Sequence, residues 1–515
     1  MTDWNFGYIT DVDYLIQFHR ETTPAWLAMV AVFCGQRPPD LSRPFRYADL
    51  GCGPGLTDVS VAAACANAEV WGFDINPGHL ETARQLAGRS GVGNATFVQA
   101  SFADLARRPD SELPEFDFIV SHGVLSWVSP ENRRHLIDLI GRRLRPGGLA
   151  YLGYNTMTGW ASMVPVRALM RMLTVGRRDL AIPAILDVLD RIKQAEPAYF
   201  RLHQPSLDRI LTQIRDADAR YLAHEYLNEY WHPLMFADVA DEMGAAGCTY
   251  VGSATLSDNM DAISQPSGML PLLAEAQDLS VKETLRDIGR AQMFRRDVFR
   301  RGRAPLLPGE QQALVDELSI VGLGAPVGDE VTIDIPSATL KGRPEIYRPL
   351  LRLLENGPLN VAEVQRSEGL VGHPLAEVVQ TVALLVAGGY ALPRLPQGAS
   401  AAARGTARAL NLALAEINAC GGELGQLAAP AVGTAIPVAV LETFIVEPLL
   451  AGRPADTEAL IDHVQTRLAR RRVEVKQNGQ PVTEPEAAQR IIAEAVRDTL
   501  DRRVPAFRQL GILDG

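Results

Sequence analysis

Between Tyr47 and Gly55 the chain reads Tyr-Ala-Asp-Leu-Gly-Cys-Gly-Pro-Gly, and no other stretch narrows its folding options so far. Short apolar residues run into Asp49, glycines alternate at Gly51, Gly53 and Gly55, and Leu56 to Ala66 continues as a small-residue helix. Such glycines mark backbone that turns sharply with positive φ and lets a ligand approach within contact distance. A second acid, Asp74, ends the next apolar run (Val70-Trp71-Gly72-Phe73), at 74 − 55 = 19 residues past the last glycine. In a doubly wound sheet that position offers a carboxylate to a ribose diol. The pattern predicts an α/β fold holding an adenosine-containing cofactor at the carboxyl ends of parallel strands.

A nicotinamide site has G-x-G-x-x-G and a pyrophosphate at the helix N-terminus. Here the spacing is tighter, and Asp49 beside the loop repels a pyrophosphate while suiting an ammonium. The D-x-G-x-G-x-G pattern resembles the first motif of class I S-adenosylmethionine-dependent methyltransferases. Phe97-Val98-Gln99-Ala100-Ser101-Phe102, Phe116-Asp117-Phe118-Ile119-Val120 and Leu144-Arg145-Pro146-Gly147-Gly148 resemble that family's later elements, in the right order. The alternative is a Rossmann-like sheet with no methyl donor. The resemblance implies S-adenosyl-L-methionine as cofactor, with Asp49, Gly51, Cys52, Gly53 and Gly55 around its methionyl part and Asp74 on the ribose. Ile75, Ser101 and Phe102 are expected at the adenine, with Tyr14, His122 and Gly123 as further cofactor neighbours. Ser101 stands where many members carry aspartate, a weaker neutral acceptor that shifts adenine recognition toward stacking. Cys52 reads as a small residue filling the turn rather than a nucleophile.

His122-Gly123-Val124-Leu125-Ser126-Trp127-Val128, Tyr154-Asn155-Thr156-Met157-Thr158-Gly159-Trp160 and Tyr221 to Glu229 resemble a branch of large bacterial enzymes carrying a methyltransferase regulatory domain, with relatives among rickettsial-type protein-lysine methyltransferases. Leu125 replaces that branch's tyrosine and Thr158 its proline. The likeness covers roughly residues 8–300 and implies a homodimer that methylates protein lysines. Tyr154, Asn155 and Trp127 are the expected acceptor-pocket residues, because ligands bind at the carboxyl ends of strands and aromatic rims orient an ammonium. Two other readings stand beside this one, a small-molecule O- or N-methyltransferase and a cofactor-bound interaction protein. His122 reads as a cofactor neighbour rather than a general base.

A chain of 515 residues predicts several domains. The boundaries read as a cofactor domain with an N-terminal lid or packing helix (1–160), a helical insertion for substrate cover or dimerisation (161–230), completion of the sheet (231–265), a helical connector (266–305), a winged-helix-like region (306–397) and a helical C-terminal region (398–515). The net charge of −11 argues against a nucleic-acid binder. The second helix of the winged-helix-like region, near Leu375-Ala376-Glu377, lacks the cationic donors a groove reader needs. The runs Arg295-Arg296, Arg300-Arg301 and Arg470-Arg471-Arg472 read as solvated faces or internal ion pairs. Five scattered cysteines, no leader pattern and no uninterrupted apolar span point to a reducing cytoplasm. His224, Glu225 and His232 lack metal-ligand spacing, so no metal is expected.

Overall fold

The computed structural model describes residues 16–174, 182–216, 228–326, 328, 330–336, 338–471, 476–477, 480–482 and 484–514. Tyr14, with the upstream part of the expected lid, and residues 221–227 with His224 and Glu225 lie outside the described residues.

Seven strands form one sheet: β1 (Phe45–Leu50), β2 (Ala68–Asp74), β3 (Ala95–Gln99), β4 (Phe116–His122), β5 (Leu144–Asn155), β6 (Cys248–Ser253) and β7 (Phe294–Arg301). Their order is β3-β2-β1-β4-β5-β7-β6. The first five are parallel, and β7 runs antiparallel to both β5 and β6. Helices cover both faces, so the central strands read as continuous apolar runs rather than alternating ones. The helices that matter for the site are α1 (Pro24–Phe33), α2 (Leu56–Ala64), α3 (Pro77–Arg89), α4 (Phe102–Arg107) and α5 (Pro130–Arg143). This is the Rossmann-like methyltransferase architecture anticipated from the glycine loop.

Two expected boundaries need correction. Cys248 to Ser253 does not complete the sheet beside β5; it forms the outer edge, and β7 is inserted between them. The supposed connector at 266–305 therefore holds a sheet strand as well as the helix Leu279–Arg290. β7 escaped notice because its sequence, Phe-Arg-Arg-Asp-Val-Phe-Arg-Arg, looks like surface. Arg295 and Asp297 are nevertheless buried, and they neutralise each other internally. The Arg295 Nε donates to both oxygens of Asp297 at 3.0 and 2.8 Å, its Nη1 to Asp287 at 2.7 Å and its Nη2 to Glu283 at 2.8 Å. The guanidinium also lies 4.4 Å over the ring of Phe236.

The insertion contains the helices Val164–Thr174, Ile182–Gln194 and Gln204–Asp216. They enclose a core of their own, in which Met163, Val166, Met170, Ile185, Leu189 and Ile210 meet Trp160 and Trp231. Within 306–397, three short strands pair in the order Leu359–Asn360, Ser319–Gly322, Ala391–Pro393. The central one follows the helix Pro308–Glu317 and comes from upstream of the helices at 344–387, not from a wing after them, which departs from the expected winged-helix order. The C-terminal region opens with the helix Ala401–Ala419, capped by Ser400, whose side chain accepts from Ala403 N. That helix and the hairpin Gln426–Pro437 cover the outer face of α2: Thr406 Oγ1 donates to Ala63 O at 2.6 Å, and the Cys65 thiol to Gly433 O at 3.4 Å. As a result every residue of α2 is buried. No helix among the described residues is long and apolar enough to cross a membrane.

Candidate active site

The turn after β1 is held from β2. Gly51 and Cys52 donate backbone N–H groups to Phe73 O at 2.8 and 3.0 Å, and Gly53 N donates to Asp74 Oδ2 at 2.9 Å. The other Asp74 oxygen accepts from Asn76 N at 2.8 Å, which fixes the carboxylate at the strand's carboxyl end. Gly51, Gly53 and Gly55 have φ of +92°, +54° and +71°, a region that costs other residues strain. Their roles differ. A Cβ on Gly51 would stand 2.5 Å from Val124 Cγ2, whereas one on Gly53 would meet open space. A Cβ on Gly55 would stand 2.6 Å from Ala83 Cβ and 3.0 Å from Phe97. Gly55 therefore permits helix packing rather than ligand approach, correcting its expected place beside the cofactor.

A cavity opens at this turn and runs between Gly51, Gly53, Asp74 and Ile75 on one side and His122, Gly123, Val124, Trp127 and Val128 on the other. Ser101, Phe102, His79 and Asn132 line it as well. The bare backbone of Gly53 and a carboxylate flanked by apolar walls suit a nucleoside with a short charged arm.

Beneath the loop lies an acidic cluster. Asp49 is buried, and burial, then Asp58 and Asp74, hold its carboxyl well above the usual range. Asp58, in the first turn of α2, is pushed up to about 7, chiefly by burial. Cys52 donates its thiol to Gly53 O at 3.6 Å, and burial beside Asp58, Asp74 and Asp49 raises its pKa. It stays a protonated filler of the turn and does not line the cavity.

His122 shares a 2.7 Å hydrogen bond between Nδ1 and the Tyr151 hydroxyl, and its ring stacks on His19 at 3.9 Å. Burial, followed by His19 and Arg296, drives its pKa well down. The ring is neutral at pH 7 and sits on the cavity wall.

Two expected roles change. Ser101 does reach the cavity, but its hydroxyl donates to Asp104 Oδ2 at 2.6 Å and accepts from Asp104 N at 3.0 Å. Its proton is committed to the capping box of α4, so toward a ligand it can only accept. Tyr154 is fully buried and donates its hydroxyl to Asp297 Oδ2 at 2.6 Å, so it serves the Arg295 network and not an acceptor pocket. Asn155 points the other way along the strand. Its backbone N donates to Ser126 Oγ at 2.9 Å, while its buried Nδ2 has no partner. Trp127 lies at the junction, on the cavity wall and 6.3 Å from the ring of Trp231 in the core of the insertion. Sequence reasoning missed His79, Asn132 and Asp58. Only Asp58 carried an overt signal, as the one acid in an otherwise small and apolar helix.

Residues 48–148 match the model of a methyltransferase domain, and residues 218–301 that of a predicted methyltransferase regulatory domain. An uncharacterized protein of Synechocystis is 33% identical over 86% of this chain and 87% of its own length. The chain belongs to the S-adenosylmethionine-dependent methyltransferases that carry this regulatory domain. Its cofactor is S-adenosyl-L-methionine. The fold extends to PKMT2 from Rickettsia typhi, solved in complex with AdoHcy, at a TM-score of 0.69 and 18% identity over 96% of this chain and 99% of that one. A trans-aconitate 2-methyltransferase from Streptomyces coelicolor is 40% identical, but over only 22% of this chain and 35% of that enzyme. The regulatory domain supplies both β6 and β7, so it is part of the catalytic sheet and not an appendage.

Proposed function

We propose that the chain transfers methyl groups from S-adenosylmethionine to lysine side chains of protein substrates. The observation that carries the acceptor class is the chemistry of the cavity wall. Val124, Trp127 and Val128 supply apolar surface, and no Arg or Lys stands among the described residues that line the cavity. Such a wall disfavours an ammonium relative to the neutral amine, the form that can act as nucleophile. A carboxylate acceptor would instead need a cationic partner. The name PKMT2, borne by the rickettsial protein of the same fold, accords with this class.

The bound donor supplies a methyl group on a sulfonium, already activated for displacement by the acceptor nitrogen. The chain's own task is alignment and exclusion of water. In this reading Asp49 and the backbone of Gly51 and Gly53 hold the methionyl arm, and Asp74 accepts from the ribose hydroxyls. Ile75 and Phe102 sandwich the base, while His122 and Gly123 close the opposite wall. Trp127 guides the amine, and the carboxamide of Asn155 fixes it at the end of β5. The working form is taken to be a cytoplasmic homodimer.

Incubating the protein with deuteromethyl donor and a cell extract, then sequencing labelled peptides by mass spectrometry, tests the acceptor. Deuteromethyl-lysine that disappears with Trp127→Ala supports the reading. Label confined to small compounds would replace it with a metabolite methyltransferase, and no label at all would favour a cofactor-bound interaction protein.

A further inference from the structure

With its proton given to Asp104 the Ser101 hydroxyl can only accept, so a base edge that offers both a donor and an acceptor needs another polar group, and Asn132 meets the requirement. It is the third residue of α5, where its backbone N donates to the capping Ser129 Oγ at 3.1 Å. The residue is 8% exposed and lines the cavity. Its carboxamide makes no hydrogen bond among the described residues.

Asn132 lines the same cavity as Ser101-Phe102, and α5 and α4, which carry them, are joined by Arg142 Nη2, which donates to Ala106 O at 2.8 Å. Ser101-Phe102 follows β3 at the carboxyl edge of the sheet, beyond β2 and Asp74 on the side away from the glycine loop. A nucleoside with its ribose at Asp74 and its arm at Gly51 puts its base there.

We propose that Asn132 reads the adenine of the donor, its Oδ1 accepting from the exocyclic amine while its Nδ2 donates to N7. Asparagine is the side chain whose paired acceptor and donor match that edge, a match worth about 1–3 kcal/mol of discrimination against the wrong base. Hypoxanthine replaces the amine by a carbonyl and so sets an acceptor against Oδ1. The inference assigns the base end of the cavity and rests on the placement of the donor there.

Calorimetry with the full chain tests it, using S-adenosylhomocysteine and its deaminated counterpart S-inosylhomocysteine as probes. The unaltered protein is expected to prefer the adenosyl form. Asn132→Ala should weaken adenosyl binding by about 5- to 150-fold and leave inosyl binding within about threefold. Asn132→Asp, which preserves size and the helix start, should also weaken adenosyl binding because it sets an acceptor against N7; unchanged circular dichroism and melting show that both variants are folded. Equal weakening of both nucleosides, or no change in either, overturns the role of Asn132 while leaving the donor site intact. Heat with neither nucleoside in the unaltered protein overturns the donor site and this inference together.

Discussion

Replacing Arg295 with methionine removes the cation at the centre of the sheet's regulatory half. Three carboxylates depend on it: Asp297 through two contacts, Asp287 and Glu283 through one each. Glu283 retains Arg286, and Asp287 retains Arg290 at 4.0 Å. Among the described residues, Asp297 retains only the Tyr154 hydroxyl. The main loss is therefore one fully buried carboxylate without a cation, and removing one partner of a buried ion pair costs about 3–5 kcal/mol. Opening of the β5–β7–β6 region should become easier by that amount, roughly two to four orders of magnitude in the opening equilibrium. Hydrogen exchange followed by mass spectrometry on peptides covering residues 294–301 reads this directly. The double variant Arg295→Met, Asp297→Asn should recover at least half the loss, because the orphaned charge is gone. Exchange of the single variant within tenfold of the unaltered protein would refute the assignment of β7 as a strand held by internal charge compensation.

Asp74→Ala should weaken S-adenosylhomocysteine binding by about 10- to 150-fold, the usual worth of a charge-assisted hydrogen bond, with calorimetry as the measure. Gly51→Ala and Gly55→Ala should both lower the urea midpoint, since each sets a Cβ within 2.6 Å of a neighbour at positive φ. Only the Gly51 variant narrows the wall against Val124, and it alone should also lose nucleoside affinity beyond the loss of stability. Asp58→Asn should stabilise the nucleoside-free protein at pH 8.5 more than at pH 5. Its carboxyl, pushed up to about 7 in the fold from an ordinary value near ~3.9, holds its proton more tightly folded than unfolded. The stability this contributes is complete at low pH and is lost as pH rises through 7, and the amide has no such loss. A difference in melting temperature independent of pH would refute that burial.

The half of the fold that was legible in the sequence is the half whose strands are covered on both faces. β1, β2 and β4 read as apolar runs ending in Asp49, Asp74 and His122, and the glycine loop fixes where the first turn lies. β7 was illegible because its buried face carries Arg295 and Asp297, which pattern reasoning assigns to solvent. Tyr154 illustrates a finer failure. It lies at the correct strand end, but successive strand residues face opposite sides, and the neighbouring Asn155 takes the side toward Ser126. The fate of Ser101 was readable, since Ser101-Phe102-Ala103-Asp104 is a capping-box pattern. The cover over α2 was not, because it comes from residues 401–437 and no local signal spans that separation.

Ultraviolet crosslinking of methyl-labelled S-adenosylmethionine to the intact chain, followed by peptide mapping, probes the donor site itself. The label should fall in peptides covering Gly51 to His79 or Ser101 to Asn132, and excess S-adenosylhomocysteine should abolish it. Label elsewhere in the chain, or label indifferent to that competitor, would contradict the assignment of this cavity as the place where methyl transfer begins.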